Sequence, residues 1–199
     1  MLIENNKIII DIPKFEFIKT PHGYFEMGNG KYKHWVYLNK DFEISQYCVK
    51  SKLYSIVTNE FIKMYSDWDN TKTNTHMYDC QKFINNLNSV DSTYNYRLPT
   101  EAEWEYVATA LPQKYKFIPT GKFEWCQDWY SRSYRQSNLK MIFNPIPMVV
   151  NPIGPKKRST GIVVKAYNNP TERYNFGIYD YHGVSFRLVR SLKNANSNI

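Results

Sequence analysis

Three glutamates lie close together in the stretch YRLPTEAEWEYVA, residues 96–108. Glu101, Glu103 and Glu105 occupy alternate positions, and Arg97 lies just upstream of them. Carboxylates at this density suit general acid–base catalysis, a metal cluster or a purely structural role. Which of these three applies decides whether the stretch carries the groups of an enzyme.

The residues around these glutamates predict the start of a helix. Thr100 and Glu103 have the T-x-x-E spacing of a capping box, in which each side chain accepts a hydrogen bond from the other residue's backbone. Pro99 disfavours helix upstream, and acidic residues in a first turn suit the helix dipole. Four apolar residues then recur at helical spacing: Trp104, Val107, Ala108 and Leu111. We therefore interpret the glutamates as structural, and we expect Arg97 to pair with one of them.

The side chains that most often act as nucleophiles or metal ligands are few and dispersed. Cys48, Cys80 and Cys126 form no CxxC pair and no zinc-like Cys/His spacing, so we expect reduced and mostly buried thiols. A pairing of Cys126 with His182 is conceivable only if the fold brings them together. The four histidines show no H-x-x-x-H spacing and are expected to be ordinary surface or hydrogen-bonding residues: His22, His34, His76 and His182.

The composition combines a basic balance with abundant tyrosine. The net charge is +8, but the basic residues are scattered, so nucleic-acid binding is disfavoured. The one tight basic run, Lys156 to Arg158, is interpreted as a solvated loop. Tyrosine occurs 17 times and glycine only 8 times, and Asn, Lys and Ile are plentiful. This usage is typical of an AT-rich genome and favours a phage, a mobile element or an AT-rich bacterium.

The length and hydropathy pattern predict one domain. We expect residues 1–191 to form it and the polar tail, residues 192–199, to be disordered. No apolar run approaches the roughly 20 residues of a membrane span. The first residues lack the cleavage pattern of a signal peptide and are expected to form a strand. The expected location is therefore a virion or the cytoplasm.

The order of predicted elements indicates an α+β domain with long irregular loops. Strands are predicted at 14–20, 23–30, 35–49, 160–167 and 183–190 from their alternating pattern. One helix is predicted at 59–68 with Thr58 as its cap. A second is predicted at 78–88, with a buried stripe that consists of Cys80, Phe83, Ile84 and Leu87. Residues 168–183 are predicted to be a loop.

These motifs, in their order along residues 15–190, resemble the formylglycine-generating enzyme family, also called sulfatase-modifying factor domains. The resemblance is carried by GYFEMGNG, FEISQYCVKSKLYSIVTNEFIKMY, MYDCQKFINNLN, YRLPTEAEWEYVA, FEWCQDWY and FRLVR. It implies a C-type-lectin-like fold with antiparallel strands, two or three short helices and long loops. It does not by itself imply an activity, since one fold hosts many functions.

The departures from this family concern the residues that its chemistry uses. The oxidases of the family hold copper with two cysteines shortly before the closing strand, and residues 160–186 here contain none. Relatives that form sulfur–carbon bonds take histidine ligands from an additional helical domain, which this chain has no length for. A family asparagine that resembles a calcium ligand falls on Gly121, and VVKAYNN replaces R-G-G-S-W. We therefore expect no catalytic residue, no metal site and no cofactor, with weak calcium binding by backbone carbonyls left open.

Relatives in this branch include phage receptor-binding proteins and proteins with variable positions just before the closing strand. The corresponding ten residues here are rich in Tyr and Asn, which adaptable recognition surfaces favour. We call this set the polar window: Tyr167, Asn168, Asn169, Arg173, Tyr174, Asn175, Tyr179, Asp180, Tyr181 and His182.

The polar window is the predicted ligand-binding site, although a plain solvated loop would have the same composition. The predicted function is a non-catalytic binding or structural protein, as a phage virion or receptor-binding component. Its expected partner is a protein, a cell-surface glycan or another virion subunit. The alternative is an oxygen-dependent oxidase related to formylglycine-generating enzyme.

Overall fold

The structure, a computed structural model, describes residues 2–4, 7–9, 15–60, 71–132, 140–143, 147–155 and 160–193. The strands in these ranges are β1 (Leu2–Glu4), β2 (Lys7–Ile9), β3 (Phe17–Thr20), β4 (Gly23–Met27), β5 (His34–Leu38), β6 (Phe42–Ser45), β7 (Tyr94–Arg97), β8 (Phe123–Trp129), β9 (Lys140–Phe143), β10 (Pro147–Val150), β11 (Ile162–Ala166), β12 (Tyr174–Phe176), β13 (Val184–Ser185) and β14 (Val189–Leu192). The α-helices are α1 (Ser51–Thr58), α2 (Met77–Val90) and α3 (Glu101–Glu105). Short 3-10 turns lie at Gly30–Tyr32 and Gln113–Tyr115, and a π-helical turn, Tyr106–Ala110, continues α3.

The described strands form three four-stranded sheets and the separate antiparallel pair β1–β2. Their strand orders are β4-β5-β10-β9, β12-β11-β8-β13 and β3-β6-β14-β7. Neighbouring strands are antiparallel except for β10 beside β5 and β13 beside β8. Strands β3 and β4 are separated only by Pro21 and His22, yet they belong to different sheets. The predicted α+β class with mostly antiparallel strands is confirmed.

The β12-β11-β8-β13 sheet, here called the central sheet, separates two hydrophobic cores. Strands β8 and β11 alternate their side chains between the two, so Cys126 and Val163 face one core while Trp125 and Val164 face the other. The first core packs α3 and its π-helical turn against β4, β5 and β6. The second packs α1 and α2 against the other face of the central sheet. None of the helices in the described part of the chain has the length and apolarity that a membrane crossing requires.

Both apolar stripes predicted for helices are buried. In α2 the stripe consists of Cys80, Phe83, Ile84 and Leu87. Its Phe83 ring stacks on Tyr54 of α1 at 5.7 Å and meets Phe186 edge-on at 5.4 Å. After α3 starts, the buried residues are Trp104, Val107, Ala108 and Leu111. The widened turn at Tyr106–Ala110 accompanies a hydrogen bond from the Thr109 hydroxyl to the Glu105 carbonyl oxygen, 2.7 Å.

The prediction that Thr58 begins a helix was wrong. Thr58 is the last residue of α1, and its hydroxyl donates to the Tyr54 carbonyl oxygen four residues earlier at 2.8 Å. Asn59 then adopts a left-handed conformation with φ 54°, which ends the helix. Residues 61–68 of the predicted helix lie outside the described residues. The sequence reading missed α1 because Lys50, its N-cap, offers no side-chain cap.

The segment predicted as one loop, residues 168–183, contains a strand. Strand β12 pairs with β11 in the antiparallel register Ile162 with Phe176 and Val164 with Tyr174. It is only three residues long and lies at a sheet edge, so its alternation is too brief to recognise. At the C-terminal end, β14 reaches Leu192, and the Lys193 ammonium donates to the carbonyl oxygens of Asn88 and Asp91. Residues 194–199 lie outside the described residues.

Strand β7 is an edge strand whose outer side is covered by a side chain of α2. The Asn88 amide donates to the Tyr96 carbonyl oxygen at 2.9 Å and accepts from the Tyr96 backbone N–H at 2.7 Å. The amide thus imitates a neighbouring strand at that point. Covering an edge in this way removes a template for pairing with other chains.

Replacing Asn88 by Ala is expected to lower the free energy of unfolding by about 1–3 kcal/mol, because the polar backbone groups of Tyr96 lose both partners. Urea unfolding followed by tryptophan fluorescence measures this change. Asn85→Ala, at an exposed position of the same helix, is the matched control and should have little effect. Equal stability of the two variants would contradict the role given to Asn88.

Candidate functional site

The capping box that begins α3 is formed as the sequence predicts. The Thr100 hydroxyl accepts from the Glu103 backbone N–H at 3.0 Å, and the Glu103 carboxylate accepts from the Thr100 backbone N–H at 2.8 Å. The same carboxylate receives both terminal nitrogens of Arg97 at 2.6 Å. The predicted pairing of Arg97 with a glutamate of this stretch is therefore confirmed. Glu103 is fully engaged by these four contacts.

The other two glutamates pair with cations that are distant in the sequence. Glu101 receives Arg173 in a two-point contact of 2.5 and 2.7 Å. Glu105 accepts the Lys165 ammonium at 2.8 Å and the Gly28 backbone N–H at 2.6 Å. All of the carboxylates in this stretch are buried, and the Lys165 side chain has no exposed surface. Pairing is what makes such burial tolerable, since an isolated buried charge is strongly destabilising.

A further buried pair links β8 to the closing segment. Arg187 donates to both carboxylate oxygens of Glu124 at 2.5 and 2.7 Å, and its guanidinium lies 3.7 Å from the centre of the Phe117 ring. The Trp104 indole N–H also donates to Glu124 at 2.8 Å. Arg187 further donates to the carbonyl oxygen of Ser45 at 3.0 Å. The FRLVR and FEW motifs thus meet in one hydrogen-bonded cluster inside the molecule.

The three cysteines are buried thiols. Burial raises the pKa of Cys48 to about 12, even though the nearby Arg187 acts in the opposite direction. Burial also raises the pKa values of Cys80 and Cys126, and the Asp128 carboxylate adds to the effect at Cys126. Since the thiolate is the nucleophile and the metal ligand, these groups are held in their unreactive form at neutral pH.

Two of the four histidines, His76 and His182, lie against the same ring, that of Tyr181. The His22 ring contacts Asp41 at 2.6 Å at the surface, and the His34 ring donates to the Tyr32 carbonyl oxygen at 2.9 Å. His182 is exposed, whereas Cys126 lies in the first core, so the two do not share an environment. Within the described ranges, no group of three His, Cys, Asp or Glu side chains is placed to hold a metal ion.

One half of the polar window lies in the turn between β11 and β12. Arg173 points inward, and besides Glu101 it donates to the Ser131 carbonyl oxygen at 2.7 Å. The Tyr167 ring packs edge-on to Phe117 at 5.9 Å. Asn168 and Asn169 are exposed between these two anchors. This half therefore consists of exposed amides on a turn that is fixed at both ends.

The other half of the polar window lies in β12 and in the segment before β13. The Tyr174 ring packs edge-on to Phe123 at 5.0 Å, and Asn175 is exposed. Tyr179 is 81% exposed, and the Asp180 carboxylate accepts from the Gly177 backbone N–H at 2.7 Å. The Tyr181 ring lies 4.4 Å from that of His76 and 4.0 Å from that of His182. The exposed residues of the window therefore form two groups, one in the turn between β11 and β12 and one in β12 and the segment before β13.

A pocket of about 120 Å³ adjoins the first half of the window. Thr171 and Glu172 of the turn form one side of it, and the Glu172 carboxylate accepts from the Asn29 amide at 2.5 Å. The remaining lining residues are Tyr32, Tyr130, Arg132 and Arg173. Sequence analysis did not predict this pocket, because its residues come from three separate stretches of the chain.

Sequence reading also missed the internal partners of the glutamates. Lys165 and Arg187 lie in otherwise apolar segments, IVVKA and FRLV, and Glu124 lies in FEW. A charged residue within a buried strand requires a partner of opposite charge, and this was the usable indication. It identifies a residue that must be paired but not its partner. The basic run Lys156 to Arg158 lies outside the described residues.

Comparison with known proteins supports the fold and nothing finer. No protein-family model and no curated protein sequence matches the chain. PvdO from Pseudomonas aeruginosa is similar in structure, with a TM-score of 0.70 and 15% identity over 88% of this chain and 94% of that protein. Variable protein 1 of Treponema denticola gives 0.66 and 16%, over 88% and 94%. CarF gives 0.56 and 14%, over 90% and 99%.

These similarities show a C-type-lectin-like fold of the sulfatase-modifying-factor type, as the sequence motifs predicted. The chain and its structural neighbours match over most of their lengths, so the likeness is not confined to one part of the chain. At this level of identity it does not carry over the role of any residue.

The buried carboxyl group of Asp128, which lies beside Glu101, has a displaced pKa. Asp128 accepts from the backbone N–H of Glu101 at 2.7 Å and of Gly154 at 2.6 Å. Burial raises its pKa to about 7, and repulsion from the Glu101 carboxylate adds to the shift. It borders a cavity of about 20 Å³ beside Glu101 and Arg173, which has room for about one water molecule.

The raised pKa of Asp128 gives a predicted pH dependence of stability. Between the ordinary pKa of 3.8 and the folded-state pKa of about 7, the folded state holds a proton that the unfolded state has released. Stability contributed by this group is therefore lost as the pH rises through that window, by on the order of a few kcal/mol. Urea unfolding at a series of pH values should show a shallower decline in Asp128→Asn. Identical slopes for the two proteins would refute the shift.

Proposed function

We propose that the chain is a non-catalytic binding protein that recognises its partner through the polar window. The proposed partner is a protein or a cell-surface glycan. The proposed setting is a phage particle, in which the chain is a receptor-binding or structural component. The amino-acid usage typical of an AT-rich genome supports that setting.

The observation that carries this proposal is the way in which the window is attached to the frame. Arg173 joins the turn between β11 and β12 to buried Glu101 by two hydrogen bonds. Tyr167 and Tyr174 pack their rings against Phe117 and Phe123 on either side of that turn. A surface held in this way loses little conformational entropy on binding, which is the basis of preorganised recognition.

The exposed residues of the window have the chemistry of a recognition surface. Tyr179 offers a large amphipathic ring with few rotatable bonds, and 81% of it is accessible. Asn168, Asn169 and Asn175 each provide an amide that can donate and accept hydrogen bonds. Such groups suit the hydroxyls of a glycan or the polar backbone of a protein partner.

In the described structure, the carboxylates and thiols that an oxidase could use are either paired internally or held in an unreactive form. The glutamates of residues 101, 103 and 105 are held in internal ion pairs. The pKa values of all three thiols are raised by burial, which opposes thiolate chemistry. These observations favour binding over the alternative of an oxygen-dependent oxidase.

The binding proposal predicts that Tyr179→Ala weakens partner binding by about tenfold, as truncation of an exposed aromatic anchor does. The fluorescently labelled protein would be applied to a glycan array and to a panel of whole bacterial cells. Tyr24→Ala is the matched control, because Tyr24 is also well exposed, at 67%, but lies on β4. Equal binding by both variants on every positive target would contradict the assignment of the window.

The alternative function, that of an oxygen-dependent oxidase, is tested with the same protein. An oxygen electrode would follow oxygen uptake in the presence of copper and a cysteine-containing peptide. We expect no uptake beyond that of the heat-unfolded protein. Sustained turnover that requires the folded chain would overturn the non-catalytic assignment.

A further inference from the structure

A second concave surface lies away from the polar window. It is a groove of about 850 Å³, a volume at the upper end of the range found for ligand sites. It crosses the β3-β6-β14-β7 sheet and is also lined by residues 38–41 and 151–153, two segments that are joined by hydrogen bonds between Asn39 and Asn151. None of its lining residues belongs to the polar window, so it is an independent site.

We propose that this groove binds a peptide segment that carries both acidic and apolar side chains. The inference does not depend on the function proposed for the polar window. It follows from the apolar surface, the charge balance and the rigidity of the groove.

The groove exposes apolar surface that a ligand would cover. Ile153 is 51% exposed and Leu192 is 66% exposed, and both line it. The half-buried Phe42 supplies further apolar surface, whereas Leu38 and Val189 line the groove but are almost fully buried. Covering apolar area contributes roughly 25 cal/mol per Å², so the occupant should have apolar side chains that reach these residues.

The charges that line the groove leave an excess of positive charge. Arg97 pairs with Glu103 at 2.6 Å and Arg190 pairs with Glu43 at 2.6 Å, so these four groups balance. The third carboxylate, Asp41, contacts the His22 ring at 2.6 Å. Two ammonium groups remain at exposed positions with no carboxylate partner in the described structure: Lys19 and Lys40.

Arg97 adds to this attraction. Although it is paired, 42% of its side chain remains exposed. A guanidinium has five N–H donors, and Arg97 uses its two terminal nitrogens on Glu103 and on the Leu98 carbonyl oxygen. An anionic side chain in the groove would therefore meet two free ammonium groups and the accessible part of a guanidinium.

The walls of the groove are held by specific contacts. The Arg190 guanidinium lies between the rings of Phe17 and Tyr94, at 4.1 and 3.9 Å from their centres. Asn151 has a left-handed backbone with φ 44°. Its amide and that of Asn39 are joined by a hydrogen bond of 2.6 Å. A preformed groove binds without a large cost of ordering.

The charge pattern distinguishes an acidic peptide from a nucleic acid. A nucleic-acid backbone needs a continuous run of cations, because it carries a charge at every phosphate. Here Asp41, Glu43 and Glu103 also line the groove and would repel closely spaced phosphates. A peptide can place a few carboxylates opposite Lys19 and Lys40 and apolar side chains opposite Ile153 and Leu192.

Fluorescence anisotropy with short labelled peptides tests this proposal on the full chain. One peptide alternates Glu and Leu, and the other alternates Lys and Leu. The Glu/Leu peptide should bind saturably, with an affinity that falls as salt is added. The double variant Lys19→Glu, Lys40→Glu should weaken that binding by about tenfold.

A matched variant controls for the change in net charge. Lys52→Glu, Lys122→Glu alters two exposed lysines outside the groove and should leave the affinity unchanged. Both variants should retain the unfolding midpoint of the parent, since all four lysines are exposed. A second variant, Ile153→Asp, should also weaken binding because it places a carboxylate on the apolar surface.

Three results with the peptides would overturn the proposal. They are the absence of saturable binding by the Glu/Leu peptide, equal binding by the Lys/Leu peptide, and an equal effect of the two lysine variants. Displacement of the bound peptide by duplex DNA, with tighter binding of the DNA itself, would likewise overturn it in favour of a nucleic-acid site. A negative result in this experiment would not bear on the function proposed for the polar window, because no variant used here alters that window.

Discussion

A carboxylate that is removed from water is stable only beside a cation or strong hydrogen-bond donors, and this constraint organises the interior of the molecule. Among the described residues, four ion pairs meet it: Glu101 with Arg173, Glu103 with Arg97, Glu105 with Lys165, and Glu124 with Arg187. They connect α3 to β7, β11 and the β11–β12 turn, and β8 to the closing segment. Removing one member of such a pair leaves an uncompensated buried charge, so the pairs constrain which elements must lie together.

The same constraint determines which groups are available for function. Internal pairing occupies the glutamates of the YRLPTEAEWEYVA stretch, and burial keeps the three thiols protonated at neutral pH. Arg173 connects the buried frame to the exposed surface, because its pair with Glu101 also fixes the turn that presents Asn168 and Asn169. The groups proposed to bind partners therefore lie at the surface. They belong to the polar window on one part of the molecule and to the groove on another.

The features that were predicted correctly from the sequence depend on residues that lie close together in the chain. The Thr100–Glu103 capping box and the Arg97–Glu103 pair lie within six residues, and the stripe of α2 repeats within one helix. Thr58 was misread because a threonine can cap a following helix or bond back to its own. Its hydroxyl bonds to the Tyr54 carbonyl oxygen. The partners of Glu101 and Glu105 lie 72 and 60 residues away, so only the fold brings them together. The groove is assembled from many strands, and no single motif predicts it.

The claim that buried ion pairs hold the frame is tested most directly by equilibrium unfolding of three single variants: Glu101→Gln, Glu103→Gln and Glu105→Gln. Loss of the fully buried partner of Lys165 in Glu105→Gln should reduce the free energy of unfolding by about 3–5 kcal/mol, and Glu101→Gln should come close to this. Glu103→Gln should cost only about 1 kcal/mol, because solvent screens the half-exposed Arg97. Glu16→Gln, at an exposed position, is the control and should have little effect. If all four variants unfold alike, the glutamates do not hold the frame and the account is wrong.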